Sequence, residues 1–520
     1  MNDAQGTATP VAGPSAAGAP EAPPRGATTR GGATAFLRRH WAITALLLVG
    51  AAIRALVVYA YRPAFWYPDS TAYIRASEHL SPTTSHGANL IGYPVFLRVL
   101  GLTNSVAVVT VVQHLLALAL VVVAYVFLRR RGLPGWLAAL GLAPTVLDGR
   151  QITLEHYVLA ETLFTVLLMS GLLLVLWRER PGWVTCGVGG LLVAGAALTR
   201  SVGVGICGVV FLYLVVRRVG WKQVVAFTAA AATMILGYLT WTQQTTGKFA
   251  FTHMQGHYLY ARTAQVADCD KLRLTDQQRE LCPREPVGQR HERADWYLWS
   301  DPNIQRFGPD QDDFVGSFAK EVLRQQPVDF GVSVANDLAK YLLPGHPYGP
   351  ELTCLGGWWV LPADLRDLPG EQQGCKPRLN VGDRYVGEAA PGELAPESRT
   401  RAFLAAYSRH AQVPPGVLGL SVLLTLASVV WRVRRPGFRD GLDALLFAAV
   451  GVALLVLAVA TSMLEPRYGI PSITVLSVGG ALAIHRLRAT LSTSSRKNPA
   501  TATDPAEDGG PRGETASEKA

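Results

Sequence analysis

Charge is what this 520-residue chain has little of: 17% of it is Asp, Glu, Lys or Arg, against 49% hydrophobic residues. So low a fraction speaks against several soluble domains and for segments that live in a membrane. A cleavable signal peptide is not expected, because the first apolar run begins near Trp41 behind a polar stretch and is too long for an h-region. The first helix is then its own insertion signal. Cysteine is scarce as well, with six in the chain, and no CxxC or matching His spacing supports a zinc site. No internal repeat is present. The net charge of +10 could suit a nucleic-acid partner, but the basic residues sit in short clusters at the ends of apolar runs. That distribution reads as topology, and nucleic acid is excluded as a partner.

What is there is a series of ten apolar runs, at about 41–61, 105–128, 133–147, 157–177, 183–198, 202–216, 224–241, 417–431, 442–463 and 470–484. Several are shorter than the roughly 20 residues of an average crossing. Alternating the joints between runs puts every basic cluster on one face: Arg38 and Arg39, Arg129 to Arg131, Arg178 and Arg180, Arg217 and Arg218, Arg432 with Arg434 and Arg435, Arg486 and Arg488. By the positive-inside rule that face is cytoplasmic. The expectation is an all-α polytopic protein of the cell membrane, with about ten transmembrane helices and both termini cytoplasmic.

Its parts are a disordered tail at 1–34, a membrane core at 35–243 with a first external loop at 62–104, an extracellular insertion at 244–415, C-terminal membrane helices at 416–488 and a second disordered tail at 489–520. Apolar residues at near-helical spacing predict interfacial helices at Ser70 to Leu80 and Tyr93 to Leu100. The insertion reads as α+β or irregular, with amphipathic helices at Phe314 to Leu323 and Val332 to Leu343 separated by Pro327. Its cysteines allow three pairings, of which Cys269 with Cys282 and Cys354 with Cys375 closes two short loops and is preferred in an oxidising compartment.

Three polar constellations fall on the external face. The first is Tyr67-Pro68-Asp69-Ser70, where Asp69 reads equally as a helix cap and as a base that takes a proton from a hydroxyl. The second runs from Asp148 through Glu155 and His156 to Glu161. Glu161 opens a long apolar run and needs a partner there, either Arg200 or a divalent cation shared with Asp69 or His156; a structural ion pair explains it equally well. The third is Glu465-Pro466-Arg467-Tyr468, where an external arginine runs against the positive-inside rule and suits a phosphate at headgroup depth. An interfacial anchor is the blander account of Arg467 and Tyr468. No cofactor is assigned beyond the open place for a cation. A base, supporting acids and two external arginines fit transfer from a phosphorylated lipid to a hydroxyl, in one displacement with inversion.

These residues resemble the membrane-embedded GT-C glycosyltransferases, such as protein mannosyltransferases and aminoarabinose transferases. The likeness rests on Tyr67-Pro68-Asp69-Ser70, Gly92-Tyr93-Pro94-Val95-Phe96, Leu159-Ala160-Glu161-Thr162-Leu163-Phe164, Ala196-Ala197-Leu198-Thr199-Arg200 and Glu465-Pro466-Arg467-Tyr468. It implies a polyprenyl-phosphate donor of a hexosyl or pentosyl unit and a catalytic role for Asp69. Many members carry two close acids in the first loop, whereas here Ser70 follows Asp69 and the next acid is Glu78. The acceptor, be it glycan, lipid or protein, does not carry over. In the insertion, Trp296-Tyr297-Leu298-Trp299 and Trp358-Trp359 suit either sugar stacking or internal packing. A transporter or lipid flippase is the rival class, but it calls for ionisable residues near the bilayer midplane, where Arg54 is the main example, either in a groove or snorkelling. A membrane scaffold would leave the three constellations unexplained.

Overall fold

The computed structural model describes residues 29–82, 90–364, 378–380, 398–430 and 438–495. It has two units, 1–41 and 42–520. In the first, the described chain is the opening of helix α1 (Thr29–Ala60). The second holds the rest of α1 and everything that follows.

Each apolar run of the sequence becomes a helix. After α1 come strand β1 (Ala64–Trp66), α2 (Pro68–Glu78) and α3 (Gly92–Gly101), then α4 (Val106–Arg130), α5 (Gly135–Leu147), α6 (Gly149–Glu155), α7 (Glu161–Leu176), α8 (Trp183–Thr199), α9 (Val202–Arg217) and α10 (Trp221–Thr246). The insertion contributes α11 (Gln255–Ala264), α12 (Asp276–Arg279), α13 (Trp296–Trp299), α14 (Asp312–Gln325), α15 (Pro327–Leu342), α16 (Pro350–Gly356), strand β2 (Arg378–Asn380) and α17 (Arg399–His410). The chain returns to apolar helices with α18 (Pro415–Val430), α19 (Phe438–Thr461) and α20 (Pro466–Ser495). Residues 38–60, 106–130, 221–246, 441–461 and 466–489 are each long and apolar enough to cross a membrane, and α17 with α18 qualifies as a pair bent by 42°. Helices α5, α7, α8 and α9 are apolar but short, from 13 to 17 residues. The protein is an all-α polytopic membrane protein.

Helix α8 packs against α7 and α10, while α19 lies between α9 and α20. Their shared core is built from Leu, Val, Ala and Phe side chains such as Leu168, Leu172, Val193, Val210, Phe447 and Val475. The arginines at one end of this bundle are not left as free topology signals. Asp443 is buried at the start of α19 and takes Arg131 at 2.7 Å, Arg217 at 3.2 Å and the Tyr213 hydroxyl at 2.7 Å. Arg432, Arg434 and Arg435 lie outside the described residues, as do most of the two tails.

The insertion combines helices α11 to α17 with irregular stretches and the short strand β2. The two predicted amphipathic helices are α14 and α15, and Pro327 opens the second, where its fixed φ suits the first helical turn and its missing N–H costs nothing. Cys269 and Cys282 are joined, enclosing α12, and Cys354 is also in a disulfide. Cys375, its expected partner, lies outside the described residues. A separate small core of Met254, Tyr260, Leu281, Tyr297, Leu298, Val315 and Phe318 holds the first half of the insertion together. Its second half reaches back to the first loop, where β2 pairs antiparallel with β1.

Candidate active site

Helices α2, α7, α8 and α20 bring charged side chains to one place. In the first loop, Pro68 and Asp69 open α2, and the turn is closed by Ser70, whose Oγ accepts from the Tyr67 amide at 3.0 Å and donates to the Val158 carbonyl at 3.0 Å. Ser70 therefore does the capping that Asp69 was equally able to do. The Asp69 carboxylate is left to meet Arg467 Nη1 at 3.3 Å, with 35% of the side chain exposed. Helix α3 braces this loop: Gly92 lies so close to the end of α8 that a Cβ would stand 2.7 Å from the Leu198 carbonyl oxygen. Tyr93 packs on Tyr73 and donates to Gln113 at 2.8 Å.

Glu161 is the first residue of α7, one turn later than a helix beginning at Tyr157 would have it. At a helix N-terminus a carboxylate is favoured by the dipole. It pairs with Arg200, which ends α8 in an extended conformation, and lies 3.6 Å from Arg467 Nε. Arg467 and Tyr468 are not in a turn but in the first turn of α20, with Pro466 opening the helix. Arg467 Nε also binds Glu465 at 2.7 Å. The Glu465 backbone is held in turn by Tyr341 of the insertion, whose hydroxyl donates to its carbonyl and accepts from its amide.

The result is two guanidinium groups among three carboxylates, walled by aromatic rings. Arg467 lies over Tyr67 at 4.3 Å and near Tyr468 and Trp359, and Arg200 lies over Tyr468 at 4.6 Å. Such stacking fixes the planar cations without using up their donors. Burial pushes the Glu465 carboxyl up to about 7, against the pull of Arg467. One oxygen each of Glu161 and Glu465 has no hydrogen-bond partner although buried. Unpartnered carboxylate oxygens at such depth call for a donor, either water or the hydroxyls of a ligand.

The group faces a cavity of about 1280 Å³. Asp69, Glu161, Arg200, Arg467 and Tyr468 all line it, so the expected convergence of these residues is present. One wall is apolar, with Val202 and Val204 from α9 and Leu454, Leu457 and Ala458 from α19. Another comes from the insertion, with Tyr258, Arg293, Asp295, Trp296 and Trp299.

Glu155 and His156, expected to support the site, lie elsewhere. Glu155 is fully buried and binds Arg54 through both oxygens at 2.7 and 2.9 Å, His114 at 2.8 Å and Gln151 at 3.0 Å. Arg54 thus neither snorkels nor lines a groove. It is held by Glu155 and by the Val146 and Gly50 carbonyls. His156 binds the Tyr61 carbonyl at 2.8 Å, and burial holds its imidazole neutral with a pKa near 3. Asp148 caps α6 by accepting from the amides of Arg150 and Gln151. Trp359 is likewise internal, packed on Tyr67 and Tyr157. Among the described residues no three His, Cys, Asp or Glu side chains are placed to hold a metal ion. Missed in the sequence was the role of Glu465 as a third acid, although it stands two residues before Arg467 in the third constellation; the aromatic cluster, open between sugar stacking and packing, divides, with Trp296 and Trp299 on the cavity and Tyr297 and Leu298 in the core.

No protein-family model and no curated protein sequence matches the chain. Solved structures do match, among them the archaeal oligosaccharyltransferase AglB from Archaeoglobus fulgidus in complex with an inhibitory peptide and a dolichol-phosphate, at 12% identity and a TM-score of 0.41 over 90% of this chain and 53% of that one. The Archaeoglobus fulgidus oligosaccharyltransferase tethered to an acceptor peptide containing the NVT sequon matches at 11% identity and a TM-score of 0.40, over 89% of this chain and 52% of that one. The chain spans about half the length of these structures. At such identity and TM-score, the chemistry of the site rests on the chain's own residues.

Proposed function

We propose that the protein is a GT-C-type glycosyltransferase that moves a hexosyl or pentosyl unit from a polyprenyl-phosphate donor to a hydroxyl acceptor on the extracellular face of the cell membrane. The observation that carries this reading is one cavity in which Asp69 stands beside the Arg200–Arg467 pair, with an apolar wall of α9 and α19 next to them. An amphiphilic donor needs that combination: cations for its phosphate, an apolar surface for its chain and a base for the incoming hydroxyl.

In this reading Asp69 takes the proton of the acceptor hydroxyl as its oxygen attacks the anomeric carbon. The bond from that carbon to the phosphate oxygen breaks, and the electron pair leaves with polyprenyl phosphate, whose growing charge Arg200 and Arg467 stabilise. A single displacement inverts the anomeric centre. Glu161 and Glu465 position the two arginines. Because Glu465 sits near its midpoint at neutral pH, the cluster can take up a proton there as the phosphate adds its charge. Chemistry at the end bearing Asp69 also accords with a cytoplasmic basic end. Helices α9 and α19 pack together and run between the Arg131–Arg217–Asp443 group and the Arg200–Glu465 group, roughly 24 Å apart for a helix of 16 residues.

The test is to incubate the purified protein with polyprenyl-phosphate sugars and follow loss of donor and release of lipid phosphate. The expected result is donor binding, with turnover once an acceptor is present. Protein that binds no such donor ends the reading.

A further inference from the structure

The wall that the insertion gives to the cavity differs in kind from the apolar wall of α9 and α19. Helix α13 is pinned by Tyr297 and Leu298, which are buried in the core of the insertion, while the Trp296 and Trp299 rings line the cavity. Trp299 is 50% exposed. Trp296 lies on the His291 ring with centroids 3.9 Å apart and planes 15° from parallel, which fixes a flat face in the cavity wall. Around these rings stand planar polar groups held by one another. His291 Nδ1 meets Glu351 Oε1 at 2.7 Å, the other Glu351 oxygen accepts from the Arg293 amide at 3.1 Å, and Arg293 Nε donates to Asp295 at 3.0 Å.

We infer that this wall, made of Trp296, Trp299, His291, Arg293, Asp295 and Glu351, is the acceptor subsite and that it takes a saccharide. The inference rests on the glycosyltransferase reading of the cavity and names the acceptor that the reading leaves open. A sugar ring has an apolar C–H face and a rim of hydroxyls that both donate and accept. The face suits an exposed indole, and the rim suits fixed carboxylate, guanidinium and imidazole groups at its edge. A lipid acceptor would have no use for four charged or polar side chains around two indoles. An extended peptide is commonly held through unpaired main-chain groups, whereas the backbone here belongs to a short helix with its bonds made internally, and the β1 strand is buried. Both walls open on the cavity that Asp69 lines, so a sugar stacked here presents its hydroxyls to the side from which the base acts.

The experiment uses the full chain in nanodiscs, as wild type and as Trp299→Ala and Trp299→Phe. Binding of short mannan, arabinan and galactan oligosaccharides and of a Ser/Thr-rich octapeptide is read by saturation-transfer NMR and by tryptophan fluorescence. Donor binding and the melting temperature are measured on the same samples. The expected result is that at least one oligosaccharide binds, that Trp299→Ala weakens it about tenfold, and that Trp299→Phe keeps most of the affinity. Donor binding and melting temperature stay at the wild-type values. Binding of the peptide without any oligosaccharide overturns the inference, as does an oligosaccharide whose affinity ignores Trp299→Ala. Failure of the donor to bind wild-type protein, with oligosaccharide binding intact, strikes the glycosyltransferase reading instead.

Discussion

The two ends of the α9–α19 pair each carry buried arginines and acids, yet they are built differently. At one end a single carboxylate, Asp443, is shared by Arg131, Arg217 and Tyr213 and is 1% exposed. At the other, three carboxylates meet two arginines, Asp69 is one-third exposed, and a large cavity opens alongside. The first arrangement neutralises charge and ties helices together. The second turns its charges onto a cavity, where a polar ligand can reach them. Ion pairs in a membrane protein are thus told apart less by their distances than by whether they open on a cavity.

The sharpest way to break this contrast is Asp69→Asn. It removes the exposed carboxylate and should lower transfer by about 10²- to 10⁴-fold, with donor binding and melting temperature little changed. Full transfer with the natural acceptor would falsify the base assignment. Asp443→Asn tests the opposite end: it strands the buried Arg217 guanidinium and should cost about 3–5 kcal/mol of stability, read as a lower melting temperature. Turnover per folded molecule should hold, and a drop in turnover at unchanged stability would mean that the basic end takes part in the reaction. Arg200→Lys retains the charge but loses the planar stacking on Tyr468, so donor affinity should fall by about tenfold. An unchanged donor Kd would remove Arg200 from the phosphate site.

The smallest effect concerns Glu465. Its carboxyl titrates near 7 in the folded protein and at 4.5 ordinarily, so between these values the folded state binds a proton that the unfolded chain has released. The associated stability is present at low pH and lost as pH rises through about 7. Relative to Glu465→Gln, the wild type should lose about 1–3 °C of melting temperature between about pH 5 and about pH 8. Parallel curves for the two proteins would show that Glu465 does not titrate in that window.

Much of the site was legible because membrane sidedness does the work of a fold. Once the basic clusters are placed on one face, Asp69, Glu161, Arg200 and Arg467 can only be on the other, and the structure places all four on one cavity. Glu155 and His156 were assigned to the same face for the same reason, but the side is not the place. Residues 149–155 form a helix that carries Glu155 into the core to meet Arg54, 101 positions away in sequence. That partnership depends on how helices are rotated against one another, which no spacing within either segment encodes. Gln113 and His114, two polar residues within the apolar helix α4, were the available sign that this helix faces a buried polar partner.

The sequence by itself determined the membrane class, the ten apolar helices and the small set of charges that fall opposite the basic clusters, because hydropathy and charge act through composition and order along the chain. Only the tertiary structure decided which charges are partners and which line a cavity, that Ser70 and not Asp69 binds the Tyr67 amide at the start of α2, and that Trp299 lines the cavity while Trp359 packs inside. Those outcomes depend on helix rotation and on contacts between residues distant in sequence, and they exist only once the helices have packed.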